Sequence, residues 1–154
     1  MGNRAGFSLL ELVIALVFGG ILASIAMSGF GGAQGRLAVR SAQASFLSLH
    51  AQTRALAVER GVQVQLLVDP ATDVVSIRLG CDGGGDIVES RNFEDAYAVT
   101  VTTGGGTASL CMTPKGVANP SLNAFPQTPA RIVFTRGEAA SEVTLLPLGQ
   151  AVRP

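Results

Sequence analysis

Charge is scarce in this chain of 154 residues: 14% are Asp, Glu, Lys or Arg, against about 25% in an ordinary soluble domain. Lys+Arg and Asp+Glu both number 11, so no net field favours a polyanion. Tryptophan is missing, and Tyr97, His50 and Lys115 are each the sole residue of their type. One histidine and two cysteines without CxxC spacing exclude the usual zinc and dithiol motifs. The chain has no P-loop, no dinucleotide-binding fingerprint and no G-x-S-x-G elbow. No residue constellation stands behind an enzyme, and no cofactor or metal is expected. A second apolar run of about 18 residues is also lacking, which excludes a multi-pass membrane protein.

What is present is unevenly placed. Hydrophobic residues make up 47% of the chain. Nineteen lie in residues 1–30, and 54 are spread over the 124 residues of 31–154. The second share is ordinary for a globular domain and enough for a core, so disorder is excluded. The surplus sits in one segment. Residues 1–6, Met-Gly-Asn-Arg-Ala-Gly, form a short leader with one cation, Arg4. From Phe7 to Phe30 every residue is apolar or small except Glu11. Twenty-four helical residues span roughly 36 Å, enough to cross a bilayer. Arg4 ahead of the run favours a cytoplasmic N-terminus. A Sec signal peptide fits less well, because the run is too long and no A-x-A site follows it. A plain anchor leaves Glu11 unexplained: a carboxylate inside such a span costs about 2.5–3.5 kcal/mol on insertion scales, which makes it a functional candidate.

The stretch Gly6-Phe7-Ser8-Leu9-Leu10-Glu11-Leu12-Val13-Ile14-Ala15-Leu16 resembles the class III signal of type IV pilins and pseudopilins. The resemblance implies cleavage after Gly6 by a prepilin peptidase, N-methylation of the new terminal Phe7, and an assembly role for Glu11, the fifth residue of the mature chain. A neighbouring subunit's Glu11 would pair with the Phe7 amine, so that the burial of each charge is offset only in the assembled filament. The segment departs from many pilins in having Ser28 where they carry a proline, and glycines at 19, 20, 29, 31, 32 and 35. Each weakens a helix by about 1 kcal/mol relative to alanine, so bending or melting is expected near 19–20 and 29–35. Close packing against a neighbouring helix is the other use of such small residues.

Residues 36–60 read as an amphipathic helix. Val39, Ala42, Phe46, Leu49, Thr53 and Leu56 fall at spacings of three and four, marking one face that needs a sheet or helix to cover it. Gly61 follows as a C-cap. Strands are expected at 62–66 and 74–79, joined through the turn Asp69-Pro70-Ala71-Thr72-Asp73, and at about 87–93, 98–103, 107–112, 130–136 and 142–148. Gly104-Gly105-Gly106 reads as a hairpin turn, and residues 113–129 as an irregular loop. The expected fold class is α+β: a long N-terminal helix, half membrane-spanning and half amphipathic, packed on an antiparallel sheet. This is also the architecture the pilin resemblance implies. The divisions are 1–6 leader, 7–30 transmembrane and filament-core helix, 31–60 amphipathic helix and 61–154 periplasmic β domain.

Residues 47–66 resemble the A-R-x-E-A-x-x-R-G-x-x-V-x-L pattern of GspH/FimT-type minor pseudopilins, with partial echoes of their later strands at 112–116 and 146–153. The resemblance implies a structural subunit that primes or caps a type IV filament, either a type II secretion pseudopilus or a type IV pilus. Its implied partners are the other major and minor pilins or pseudopilins, the prepilin peptidase and the inner-membrane assembly platform. The implied location is the bacterial inner membrane, then the filament. In an exported domain Cys81 and Cys111 read as one disulfide, worth roughly 3–4 kcal/mol by closure of a loop of about 30 residues.

The remaining candidates are weaker. His50 lies on the amphipathic helix and reads as a surface or packing residue. Asp82, Asp86 and Glu89 could gather around calcium, but the spacing is not an EF-hand and a solvated loop is the better reading. Some FimT-type pilins bind DNA through an Arg-rich C-terminal stretch resembling G-R-x-R; here Gln150 replaces the first arginine, leaving Arg131, Arg136 and Arg153. Phosphate contacts dominate such affinity, so extracellular DNA for uptake is kept as the alternative ligand and nucleic acid is not the expected partner.

Overall fold

The apolar stripe of the second helical half decides the architecture. In a computed structural model, which describes residues 9–125 and 127–153 with no account of the side chains of 25–31, helix α1 covers Leu9–Arg60. Val39, Ala42, Phe46, Leu49, Thr53 and Ala57 along it are buried. Thr53 can sit in that stripe because its hydroxyl donates to the Leu49 carbonyl one turn back, at 2.8 Å, leaving no unpaired donor. Gly61 at φ +65° ends the helix, the left-handed conformation that glycine adopts without steric cost. The chain divides into two compact units, Met1–Gln34 and Gly35–Pro154.

The second unit contains strands β1 (Val64–Asp69), β2 (Val74–Leu79), β3 (Ile87–Asn92), β4 (Thr100–Thr102), β5 (Ala108–Met112), β6 (Ala130–Arg136), β7 (Ala139–Leu145) and β8 (Ala151–Val152), with a short helix α2 at Phe93–Tyr97. They form two four-stranded antiparallel sheets, ordered β3-β2-β1-β5 and β4-β6-β7-β8. Period-two alternation places Val64, Leu66 and Val68 of β1 in the core with Val75 and Ile77 of β2 and Leu110 of β5. From the other sheet come Val101, Ile132, Phe134, Val143 and Leu145. Phe134 is central to the aromatic packing: its ring centroid lies 5.6 Å from that of Phe46 on α1 and 5.6 Å from that of Phe93 on α2.

The Asp69–Asp73 turn forms because the Asp69 carboxylate accepts from Ala71 N and Thr72 Oγ1 at 3.0 and 2.9 Å, the local bonding that favours Asp in turns. Asp73, at φ +54°, accepts Phe93 N on its carbonyl and Val101 N on its carboxylate, tying this turn to α2 and to the other sheet.

Four expectations need correction. Gly104–Gly106 is not a hairpin turn: β4 pairs with β6 while β5 pairs with β1, so the glycines carry the chain from one sheet to the other. Val101 and Leu110, on either side of them, are both fully buried, and each meets the core from its own sheet. The expected strand ends at Asn92, because the Asn92 side chain accepts from Asp95 N at 3.0 Å and caps α2. The last long strand runs at 139–145, and Leu146–Gln150 is a turn closed by Leu146 N to Gln150 O at 2.8 Å. Finally, α1 does not melt at its glycines: it is helical through 19, 20, 29, 31, 32 and 35. At Gly35 an added Cβ would lie 3.4 Å from both Ala139 Cβ and the Arg136 carbonyl, so the β6–β7 hairpin packs closely on the helix here.

Candidate functional site

The N-terminal segment is built for burial. Among the described residues of α1, Leu9, Leu10, Leu12, Leu16, Phe18 and Leu22 are all more than half exposed. Apolar surface of that extent is found where lipid or another protein covers it. Glu11 is exposed among these side chains and is the only charged residue between Phe7 and Phe30. Gly6 and Phe7 lie outside the described residues. The expected membrane span over 7–30 is not recovered among the described residues, where no helix is long and apolar enough to cross a membrane. The apolar run extends at both ends beyond Leu9–Ser24, the part whose side chains are described.

Cys81 and Cys111 are joined by a disulfide across 30 positions, with Cα atoms 5.8 Å apart. Cys111 is fully buried on β5 and paired with Gln65 of β1, so the bond ties the glycine-rich 80–86 loop to β5, the edge strand of its sheet. In that loop Asp82 accepts from Gly84 N at 3.4 Å, and Glu89 pairs with Arg91 at 2.8 Å. Arg91 also donates to Ser45 of α1 at 2.7 Å. Glu89 thus serves the helix–sheet contact. Among the described residues no group of three or more His, Cys, Asp or Glu is placed to hold a metal.

His50 is a packing residue with a specific partner. It is 7% exposed, and its Nε2 lies 3.0 Å from the Gly149 carbonyl oxygen. Arg54 Nη2 donates to the same oxygen at 3.2 Å. Burial holds the imidazole below its ordinary pKa of 6.5; the Gly149 hydrogen bond opposes this, and the Arg54 charge adds to it. Asn123 pins the same turn, donating to the Pro147 carbonyl at 2.9 Å while accepting from Cys111 N. At Gly149, φ is +86° and an added Cβ would lie 2.9 Å from Ala118 Cβ. The sequence signal for the clamp was faint: a lone histidine on a helix, and a Pro-Leu-Gly turn far along the chain.

Two of the arginines considered for DNA have partners within the domain. Arg131 pairs with Glu142 at 3.5 Å, and Arg136 donates to the Tyr97 carbonyl at 3.1 Å. The distinctive parts among the described residues are an exposed apolar helix with one acid and a disulfide-stapled β domain.

Residues 1–27 match the family model described as the prokaryotic N-terminal methylation motif. The chain's fold is similar to that of the type IV minor pilin FimU of Pseudomonas aeruginosa, at 12% identity and TM-score 0.57, covering 77% of this chain and 90% of that one. It is also similar to the minor pseudopilin EpsH of the Vibrio cholerae type 2 secretion system, at 12% identity and TM-score 0.55, covering 75% of this chain and 95% of that one. No curated protein sequence matches the chain. The fold is therefore type IV pilin-like, as the helix-on-antiparallel-sheet expectation had it, and the likeness extends to a pilus subunit and a secretion subunit alike.

Proposed function

We propose that the chain is a minor pilin or pseudopilin, a structural subunit of a type IV filament. The observation that carries this is the coincidence of a prepilin-type methylation motif over residues 1–27 with a pilin-like domain behind it. In this reading residues 1–6 are a leader removed by a prepilin peptidase after Gly6, and Phe7 is then N-methylated. Residues 7–30 store the subunit in the inner membrane with the β domain, 61–154, in the periplasm. The same apolar surface that lipid covers in storage is covered by neighbouring pilins in the filament, where residues 7–30 join the core. The inner-membrane platform and the other major and minor pilins are its partners, and its role is to prime or cap assembly. The likeness to FimU and EpsH supports a minor rather than a major subunit.

Glu11 is the register device. Its carboxylate is costly in lipid, and the Phe7 amine of a staggered neighbour relieves that cost only on assembly. Glu11→Val is therefore expected to be cleaved normally and to accumulate in the membrane, but to enter sheared filaments at a small fraction of the wild-type level. Normal incorporation of Glu11→Val would overturn this role.

A further inference from the structure

The cleft between α1 and the β6–β7 hairpin has no part in filament processing as described above. It is an open groove of about 730 Å3. Arg36, Arg40 and Gln43 line it from α1; Glu138 lines it from the β6–β7 turn, and Ser141 and Glu142 from β7. Two hydrogen bonds fix the spacing of the walls. Gln43 Nε2 donates to the Glu142 carbonyl at 2.7 Å, and Ser141 Oγ donates to the Val39 carbonyl at 3.0 Å. Arg36, Arg40 and Glu138 are exposed. The ion pairs among the described residues are Arg91–Glu89 and Arg131–Glu142, and neither crosses this cleft. Glu142 is thus already engaged by Arg131. Two guanidinium groups on one wall and the Glu138 carboxylate on the other remain in a cleft whose walls these two bonds join.

Opposite charges on opposite walls suit a dipolar ligand better than a simple anion, because an anion drawn to the arginines is repelled by the carboxylates. Guanidinium groups are well matched to phosphate, and a carboxylate to an ammonium. Chain connectivity brings such a ligand within reach. Arg36 follows the end of the apolar run at Phe30 by six residues, at most about 20 Å even fully extended. The headgroup layer of a bilayer is about 5–7 Å deep on each side. We propose that this cleft holds the headgroup of a zwitterionic aminophospholipid, its phosphate on Arg36 and Arg40 and its ammonium on Glu138, while the subunit is stored in the membrane. The proposal rests on the membrane-storage reading above.

The test uses the full chain in nanodiscs of equimolar phosphatidylethanolamine, phosphatidylcholine and phosphatidylglycerol, with the lipids retained on the protein counted by native mass spectrometry. Phosphatidylethanolamine is expected to be retained about fivefold over phosphatidylglycerol, and the Arg36→Gln/Arg40→Gln pair to lower its retention by about fivefold or more, the effect of one to two basic groups at a membrane surface. Glu138→Gln is expected to abolish the preference and raise phosphatidylglycerol retention. A wild-type preference for phosphatidylglycerol, or variants that retain lipid as the wild type does, would overturn the proposal alone. A chain stripped from vesicles by alkaline carbonate would overturn the storage reading and this proposal with it.

Discussion

His50 Nε2 and the Gly149 carbonyl oxygen are 3.0 Å apart although 99 positions separate them in the chain. The contact fastens the last turn of the β domain to the C-terminal part of α1, beside the Arg54 bond to the same oxygen. It also makes the fold sensitive to acid. Burial lowers the folded-state pKa of His50 below 6.5, so the unfolded chain takes up the proton first as pH falls. The contribution is fully present above about pH 6.5 and is lost as pH falls through the folded-state value. The melting temperature is expected to drop between pH 7 and 5, with a shallower drop in His50→Gln. Equal slopes for the two proteins would rule out His50 as the source.

Phe134 touches both Phe46 and Phe93 and is fully buried. Its truncation opens a cavity between α1, α2 and the second sheet. Phe134→Ala is expected to destabilise the domain by about 3–5 kcal/mol, read as a shift in the urea midpoint. A loss under 1 kcal/mol would mean that this contact is not central.

The Cys81–Cys111 bond closes a 30-position loop. Reduction, or the double variant Cys81→Ala/Cys111→Ala, is expected to cost about 3–4 kcal/mol through the freed unfolded chain. Denaturation with and without reductant measures it; reductant should have no further effect on the double variant.

The parts of the molecule legible in the sequence are those written locally. Val39, Ala42, Phe46 and Leu49 repeat at helical spacing, so the buried face of α1 was visible. Asp69 bonds two and three residues onward, so its turn was visible too. The segment from Gly6 to Glu11 is read in linear sequence, which is why its pattern is recognisable without a fold. What escaped depends on distant partners. Gly104–Gly106 looks like any tight turn, and only the pairing of β4 with β6 and β5 with β1 makes it a passage between sheets. Helix α2 spans five residues, too few to show a period. His50 carried no local sign of Gly149. The wall formed by Glu138 and Glu142 meets Arg36 and Arg40 about 100 positions away, a juxtaposition no spacing rule reveals.

In the proposed function residues 1–6 are a leader and Phe7 starts the working subunit. Intact-mass and N-terminal peptide analysis of the chain recovered from sheared filaments tests this most directly. The expected result is a mature chain beginning at Phe7 and carrying one added methyl group on its amine. A filament-associated chain that still begins at Met1, or one that never leaves the membrane fraction, would contradict it.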